Sequence, residues 1–160
     1  MILICYDGSE DAQAAIDRAG ELFSGESAAV LTVWEPFVQV MARTGASMGF
    51  GLDGAQIQEI EKAASAEAER RAEEGATRAR EAGLSAEPHV RARESSISDA
   101  VLAEAEAIDA KAIVMGTRGL TGLKSLLLGS VSHAVTQRAD RPVVVVPSQE
   151  VAERRAAAQQ

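Results

Sequence analysis

Gly116, Gly119, Gly129 and Ser130 stand in the stretch MGTRGLTGLKSLLLGSVSHAV (residues 115–135), where four glycines, several hydroxyls and two cations lie between an apolar run and a helical pattern. Glycine admits positive φ and lets a backbone N–H approach an anion with no Cβ in the way. A concave row of such N–H groups that ends at a helix N-terminus attracts phosphate through unpaired donors and the helix dipole. Ser130 and Ser132 can add hydroxyl donors, and Arg118 either adds charge or is solvated. The chemistry on offer is phosphate binding; the plainer reading is a tight loop and a helix start. A Walker P-loop is excluded, because it requires glycine directly before its Lys-Ser/Thr pair, and Lys124-Ser125 follows Leu123.

Other chemistry-bearing patterns are weaker. Asp7-Gly8-Ser9 is either a turn whose carboxylate serves backbone N–H groups or a ligand contact. Gly49, Gly51 and Gly54 match GxGxxG, but a dinucleotide fingerprint must directly follow a strand, and about 14 residues separate it from Trp34. Gly45, Ser47 and Gly49 match the nucleophile elbow GxSxG, with acids and His133 later in the chain, so a small esterase is the second class to weigh. The run Val40–Thr44 makes a poor strand for such an elbow, and residues 42–52 read better as a mobile flap beside a binding site. His89 and His133 have no metal-ligand partner at useful spacing and read as structural or surface residues.

The elements that would position these residues alternate. Apolar runs at Met1–Tyr6, Ala28–Trp34, Ala86–Val90, Ala112–Met115 and Pro142–Val146 read as strands. Between them lie four helical patterns. Ala12, Ala15, Ile16, Ala19, Leu22 and Phe23 form one stripe, with Ser9 as cap and Gly25 as stop. A long helix runs from about Ala55 to Ala82 on Ile57, Ile60, Ala64 and Ala68. A third follows the caps Ser95-Ser96, and a fourth opens near Ser130 and stops before Pro142. Five strands alternating with helices predict an α/β fold, a doubly wound parallel sheet covered on both faces. Residues 1–147 make one domain and 148–160 a flexible tail, frayed or loosely helical.

Composition narrows the function further. The chain has 160 residues, enough for one domain with a real core. Its net charge of −8 is the wrong sign for gripping a nucleic-acid backbone, and 3% aromatics leave little to stack bases on. Cys5 is the lone cysteine, no signal-peptide pattern precedes the first strand, and no apolar span is long enough for a membrane. The expectation is a reduced, cytoplasmic protein without nucleic-acid or membrane partners.

With these residues in view, the chain resembles the universal stress protein family in its ATP-binding branch, whose pattern G-x2-G-x9-G-[ST] is met by Gly116, Gly119, Gly129 and Ser130. The likeness extends to ILICYDGSEDAQAAI at the start, AAVLTVWEP and RPVVVVP. It implies an adenine-nucleotide-alpha-hydrolase-like sheet in the order 3-2-1-4-5, with ATP and Mg2+ as ligands. It also implies homodimerisation through the last strand, Val143–Val146. By the same resemblance, Asp7 lies at the ribose or metal end, and Val33 packs on the adenine near Cys5. Met115 and Gly116 border base and ribose, while Gly119, Gly129, Ser130, Val131 and Ser132 line the phosphates. Many relatives carry a small residue or proline where Cys5 stands. The implied role is a nucleotide-dependent stress-response module, with no catalytic residues assigned and at most slow hydrolysis. A binder of another adenine nucleotide such as cyclic AMP is the alternative.

Overall fold

The computed structural model describes residues 1–44, 51, 53–119 and 129–157. Strands β1 (Ile2–Cys5), β2 (Ser27–Trp34), β3 (Ser85–Ala92), β4 (Ile113–Gly116) and β5 (Val143–Val146) form one all-parallel sheet in the order β3-β2-β1-β4-β5. The inner strands β1, β2 and β4 are almost wholly apolar because helices cover both faces, whereas the edge strand β3 carries Glu87, His89 and Arg91. On one face Ile2, Ile4, Val30 and Val114 pack with Ala15, Ile16 and Ala19 of α1 (Glu10–Leu22) and Ala76 and Ala79 of α3 (Gly54–Glu81). On the other, Leu3, Leu31, Ile113 and Met115 pack with Val101 and Ala105 of α4 (Ile97–Ala107) and Val135 of α5 (Ser130–Arg138). With few aromatics, alanine-rich helices sit close to the sheet and to one another.

The helix boundaries follow their caps. Ser9 Oγ accepts from the Ala12 N–H at 3.2 Å, and Ser96 Oγ from the Asp99 N–H at 3.0 Å. Asp53 and Gln56 form a reciprocal capping box at the start of α3. Gly75 interrupts the interior of that helix for a steric reason. A Cβ there would stand 2.7 Å from Cδ1 of Tyr6 and 2.9 Å from Cγ1 of Val30.

Three local outcomes differ from the sequence expectation. The second helical stripe is buried only from Ala68 onward, through Ala72, Ala76 and Ala79, whereas Ile60 remains exposed. The first half of α3 has no buried residue and is joined to the short helix before it by the Val38 N–H, which donates to Glu61 Oε1 at 3.2 Å. A short helix, α2 (Phe37–Thr44), occupies part of the segment expected to be loop; none of its residues is buried. The chain after β5 forms α6 (Gln149–Ala157), whose Val151 is buried. The GxSxG residues 45–49 lie outside the described residues. Of the GxGxxG match, Gly51 has φ +59° and Gly54 opens α3, with α2 rather than a strand before them.

Candidate functional site

The strand order makes β1 and β4 neighbours although they are far apart in sequence, so the loops after Cys5 and Gly116 meet at the carboxyl edge of the sheet. Such a reversal of strand order leaves a crevice there. Asp7 braces the first of these loops: its Oδ1 accepts the Ser9 N–H at 3.0 Å. Across the crevice stands Gly119, where a Cβ would lie only 2.6 Å from Asp7 Oδ2. This approach, and not a positive φ, favours glycine at 119, since a Cβ there would force the Asp7 carboxylate to move. Asp7 and Gly119, from loops far apart in sequence, therefore lie in close contact.

Gly129 is the N-cap of α5 and has no side chain of its own with which to cap the helix. The first N–H groups of a helix have no partner within it and must find one elsewhere. Here they converge with the dipole on the same edge of the sheet. Ser130 is exposed at this end and Val131 half-buried. Ser132 behaves differently from its sequence reading. It is buried, and its hydroxyl donates to the Thr117 carbonyl at 2.9 Å, with Gly129 O at 3.0 Å as a shared acceptor. Its side chain holds the loop together, leaving its main-chain N–H for the crevice.

Arg118 is likewise tied down. Its Nη2 lies 3.5 Å from Oδ1 of Asp11, its backbone N–H donates to Asp11 Oδ2 at 3.1 Å, and the Thr117 hydroxyl donates to the same oxygen. Burial alone would push the Asp11 carboxyl up, but these hydrogen bonds and the guanidinium charge hold it below its ordinary value. The Arg118 Nε is buried with no partner among the described residues. Asp11 and Thr117 are the residues that sequence reasoning missed. At the second turn position of a helix Asp11 reads as a partner for the helix dipole, and Thr117 as loop filler. Only Gly116 hinted at them, since a Cβ there would strike the Asp11 backbone carbon at 2.7 Å.

The apolar end of the crevice lies on the α4/α5 face. Cys5, Val33 and Val131 are half-buried against the cluster that contains Met115. The Cys5 thiol is pushed up to about 12 by burial and then by the charge of Asp7, so it is a small apolar wall and not a nucleophile. At the outer edge of the same face, Glu104 binds His89 Nδ1 at 2.7 Å and Arg91 Nε at 2.8 Å. His89 thus serves a buried carboxylate, and His133 is exposed on α5. Among the described residues no cluster of three His, Cys, Asp or Glu could hold a metal, and no helix is long and apolar enough to cross a membrane.

The universal stress protein family model matches residues 1–147. The chain belongs to that family. It is 31% identical over 146 residues to universal stress protein YxiE of Bacillus subtilis, covering 91% of this chain and 97% of the relative. A universal stress protein of Thermus aquaticus is 32% identical over 147 residues, covering 91% and 96%. Among solved structures, MJ0577 superposes with a TM-score of 0.71 at 23% identity, covering 91% of this chain and 94% of that one. The universal stress protein of Archaeoglobus fulgidus in complex with dAMP superposes at 0.59 and 23%, covering 91% and 95%. A universal stress protein in complex with cAMP gives 0.61 and 23%, covering 92% and 97%. At these identities the structural matches establish the shared fold.

Proposed function

We propose that this universal stress protein binds an adenine nucleotide at the β1/β4 crevice, with ATP and Mg2+ as the ligand pair. The carrying observation is the pairing of Gly119, whose missing Cβ leaves 2.6 Å to Asp7, with the uncapped α5 N-terminus behind Gly129. Phosphates would accept from the main chain at Gly119 and from Ser130, Val131 and Ser132. The buried Arg118 Nε–H is a further donor that a phosphate oxygen would satisfy. Asp7 would supply a carboxylate to a phosphate-bound Mg2+, which is usually held by one or two carboxylates together with substrate phosphates. Cys5, Val33 and Met115 would flank the base, and Gly116 the ribose. Two relatives of the same fold were solved with dAMP and with cAMP, which supports an adenine ligand.

The role we assign is regulatory binding, with hydrolysis slow at most. Arg118 is ion-paired to Asp11 and the Asp7 carboxylate braces a turn, so the charged groups bordering the cradle hold structure. We also assign residues 1–147 to one nucleotide-binding domain acting in the cytoplasm. β5 forms one edge of the sheet, and Val143, Val144 and Val145 are half-buried. An apolar edge strand pairs readily with its own copy, so we assign the homodimer to this strand; light scattering that reads a monomer would refute it.

Calorimetric titration of nucleotide-stripped protein with magnesium ATP tests the ligand. Micromolar binding at one site per subunit is expected. Silence at millimolar ATP with binding of cyclic AMP would establish the alternative, which the relative solved with cAMP favours.

A further inference from the structure

Thr117 makes more cross-element bonds than any ligand-facing role requires. Its N–H donates to the Val146 carbonyl of β5 at 2.9 Å, and its carbonyl accepts the Gly129 N–H at 2.7 Å and the Ser132 hydroxyl at 2.9 Å. Its own hydroxyl donates to Asp11 Oδ2 on α1. One residue thus joins α1, β5 and α5, and it pinches the outgoing and returning ends of the glycine loop together. Both groups are buried, Thr117 at 1% and Asp11 at 4% exposure. Asp11 in turn holds the main-chain N–H and the guanidinium of Arg118, one residue before Gly119. A Cβ on Gly129 would already stand 3.1 Å from the Thr117 carbonyl, so the stem of the loop is closed as tightly as glycine allows.

Cradle donors gain their value from being fixed before the anion arrives, because ordering them on binding costs affinity. Gly119 and Ser130 sit on opposite ends of the loop, and nothing in their own side chains sets their separation. The Thr117 stem does. We propose that Asp11 and Thr117 are positioning residues for the phosphate end of the ligand: they touch no ligand, and they hold the two halves of the cradle at a fixed separation. This rests on the nucleotide reading above. It predicts an effect confined to the part of the affinity that comes from phosphates, leaving the base and ribose contacts near Cys5 and Val33 unmoved.

The test compares Thr117→Val, Thr117→Ser and Asp11→Asn in the full chain. Valine keeps the shape and removes the hydroxyl, serine restores it, and asparagine keeps an acceptor while removing the charge. Affinities for ATP and for adenosine are measured by calorimetry, and exchange of the Gly129 amide is followed by NMR without ligand. A hydrogen bond to a charged group is worth about a tenfold change in an equilibrium. Thr117→Val is therefore expected to weaken ATP by about tenfold, leave adenosine within about twofold, and speed Gly129 exchange by about tenfold. Thr117→Ser should return all three to the parent values, and the Asp11→Asn/Thr117→Val pair should be less than additive. Equal losses for ATP and adenosine, unchanged Gly129 exchange, or failure of serine to rescue would overturn the proposal. If the unmodified chain bound neither ATP nor adenosine, the functional reading would fail instead. The exchange comparison would still decide whether the stem sets the loop, because it needs no ligand.

Discussion

Replacing Gly119 by alanine puts the cradle to a quantitative test. The added Cβ would stand 2.6 Å from Asp7 Oδ2, and among the described residues its one other neighbour is Asp7 Cγ at 3.8 Å. Ordinary contact begins near 3.4 Å, so one of the two must give by several tenths of an ångström. The carboxylate is the softer partner, but its Oδ1 is committed to the Ser9 N–H at 3.0 Å. Rotation of Asp7 therefore loosens the β1–α1 turn only slightly, and we place the cost to folding near 1 kcal/mol, the low end for overpacking. For a domain of this size that lowers Tm by about 2–4 °C. Binding should suffer more. A displaced Asp7 and a shifted main chain at 119 remove at least one hydrogen bond to a charged ligand, worth about 1.5–3 kcal/mol, or roughly 10–150-fold in Kd. Valine adds bulk at the same point and should abolish binding while leaving the dimer folded. Calorimetry with magnesium ATP and a thermal melt on the same samples read both quantities. Gly119→Ala binding ATP within about twofold of the parent would refute the placement of phosphate at the Gly119 main chain. A fall in Tm beyond about 10 °C would show that Gly119 serves folding first.

Three further outcomes follow from the geometry. Gly75→Ala should destabilise the fold by about 1–2 kcal/mol in urea, because the clash with Tyr6 and Val30 exceeds the ~1 kcal/mol gained in helix propensity; a more stable variant would refute the packing. The Cys5 thiol, pushed up to about 12 by burial and then by Asp7, should remain unalkylated by iodoacetamide at pH 8 while urea-unfolded chain reacts fully, as read by mass spectrometry. Burial alone would push the Glu104 carboxyl up, but His89 and Arg91 outweigh it and hold the carboxyl below its ordinary value of 4.5 in the folded chain. Its contribution is therefore complete above that pH and is lost as pH falls below it. Glu104→Gln should cost about 1–3 kcal/mol at neutral pH and flatten the loss of urea resistance below pH 4.5; an unchanged pH profile would refute the role.

Periodicity and glycine spacing made most of the framework legible. The five apolar runs, the Ser9 and Ser96 caps and the long alanine-rich helix reflect local chemistry, so they are written locally. The parallel sheet follows from apolar runs with no polar face, and the motif around Gly116, Gly119, Gly129 and Ser130 pointed to the crevice through its resemblance to the family. Less legible was anything set by which surface a residue meets. Ile57 and Ile60 keep helical phase, yet the fully buried residues of α3 begin only at Ala68. Phe37–Thr44 forms a helix although none of its residues is buried. That the Ser132 hydroxyl donates to the Thr117 carbonyl, 15 residues earlier, is set by the fold and has no local signal.

By itself, then, the sequence determined element type, order and the residues with no Cβ to obstruct an anion, because backbone conformation and hydrophobic phase are properties of neighbours along the chain. Tertiary structure decided that Asp7 faces Gly119 and that Asp11, 106 residues before Thr117, receives its hydroxyl. Those pairings exist only because strand order sets β1 beside β4, and buried carboxylates must find donors wherever the fold brings them.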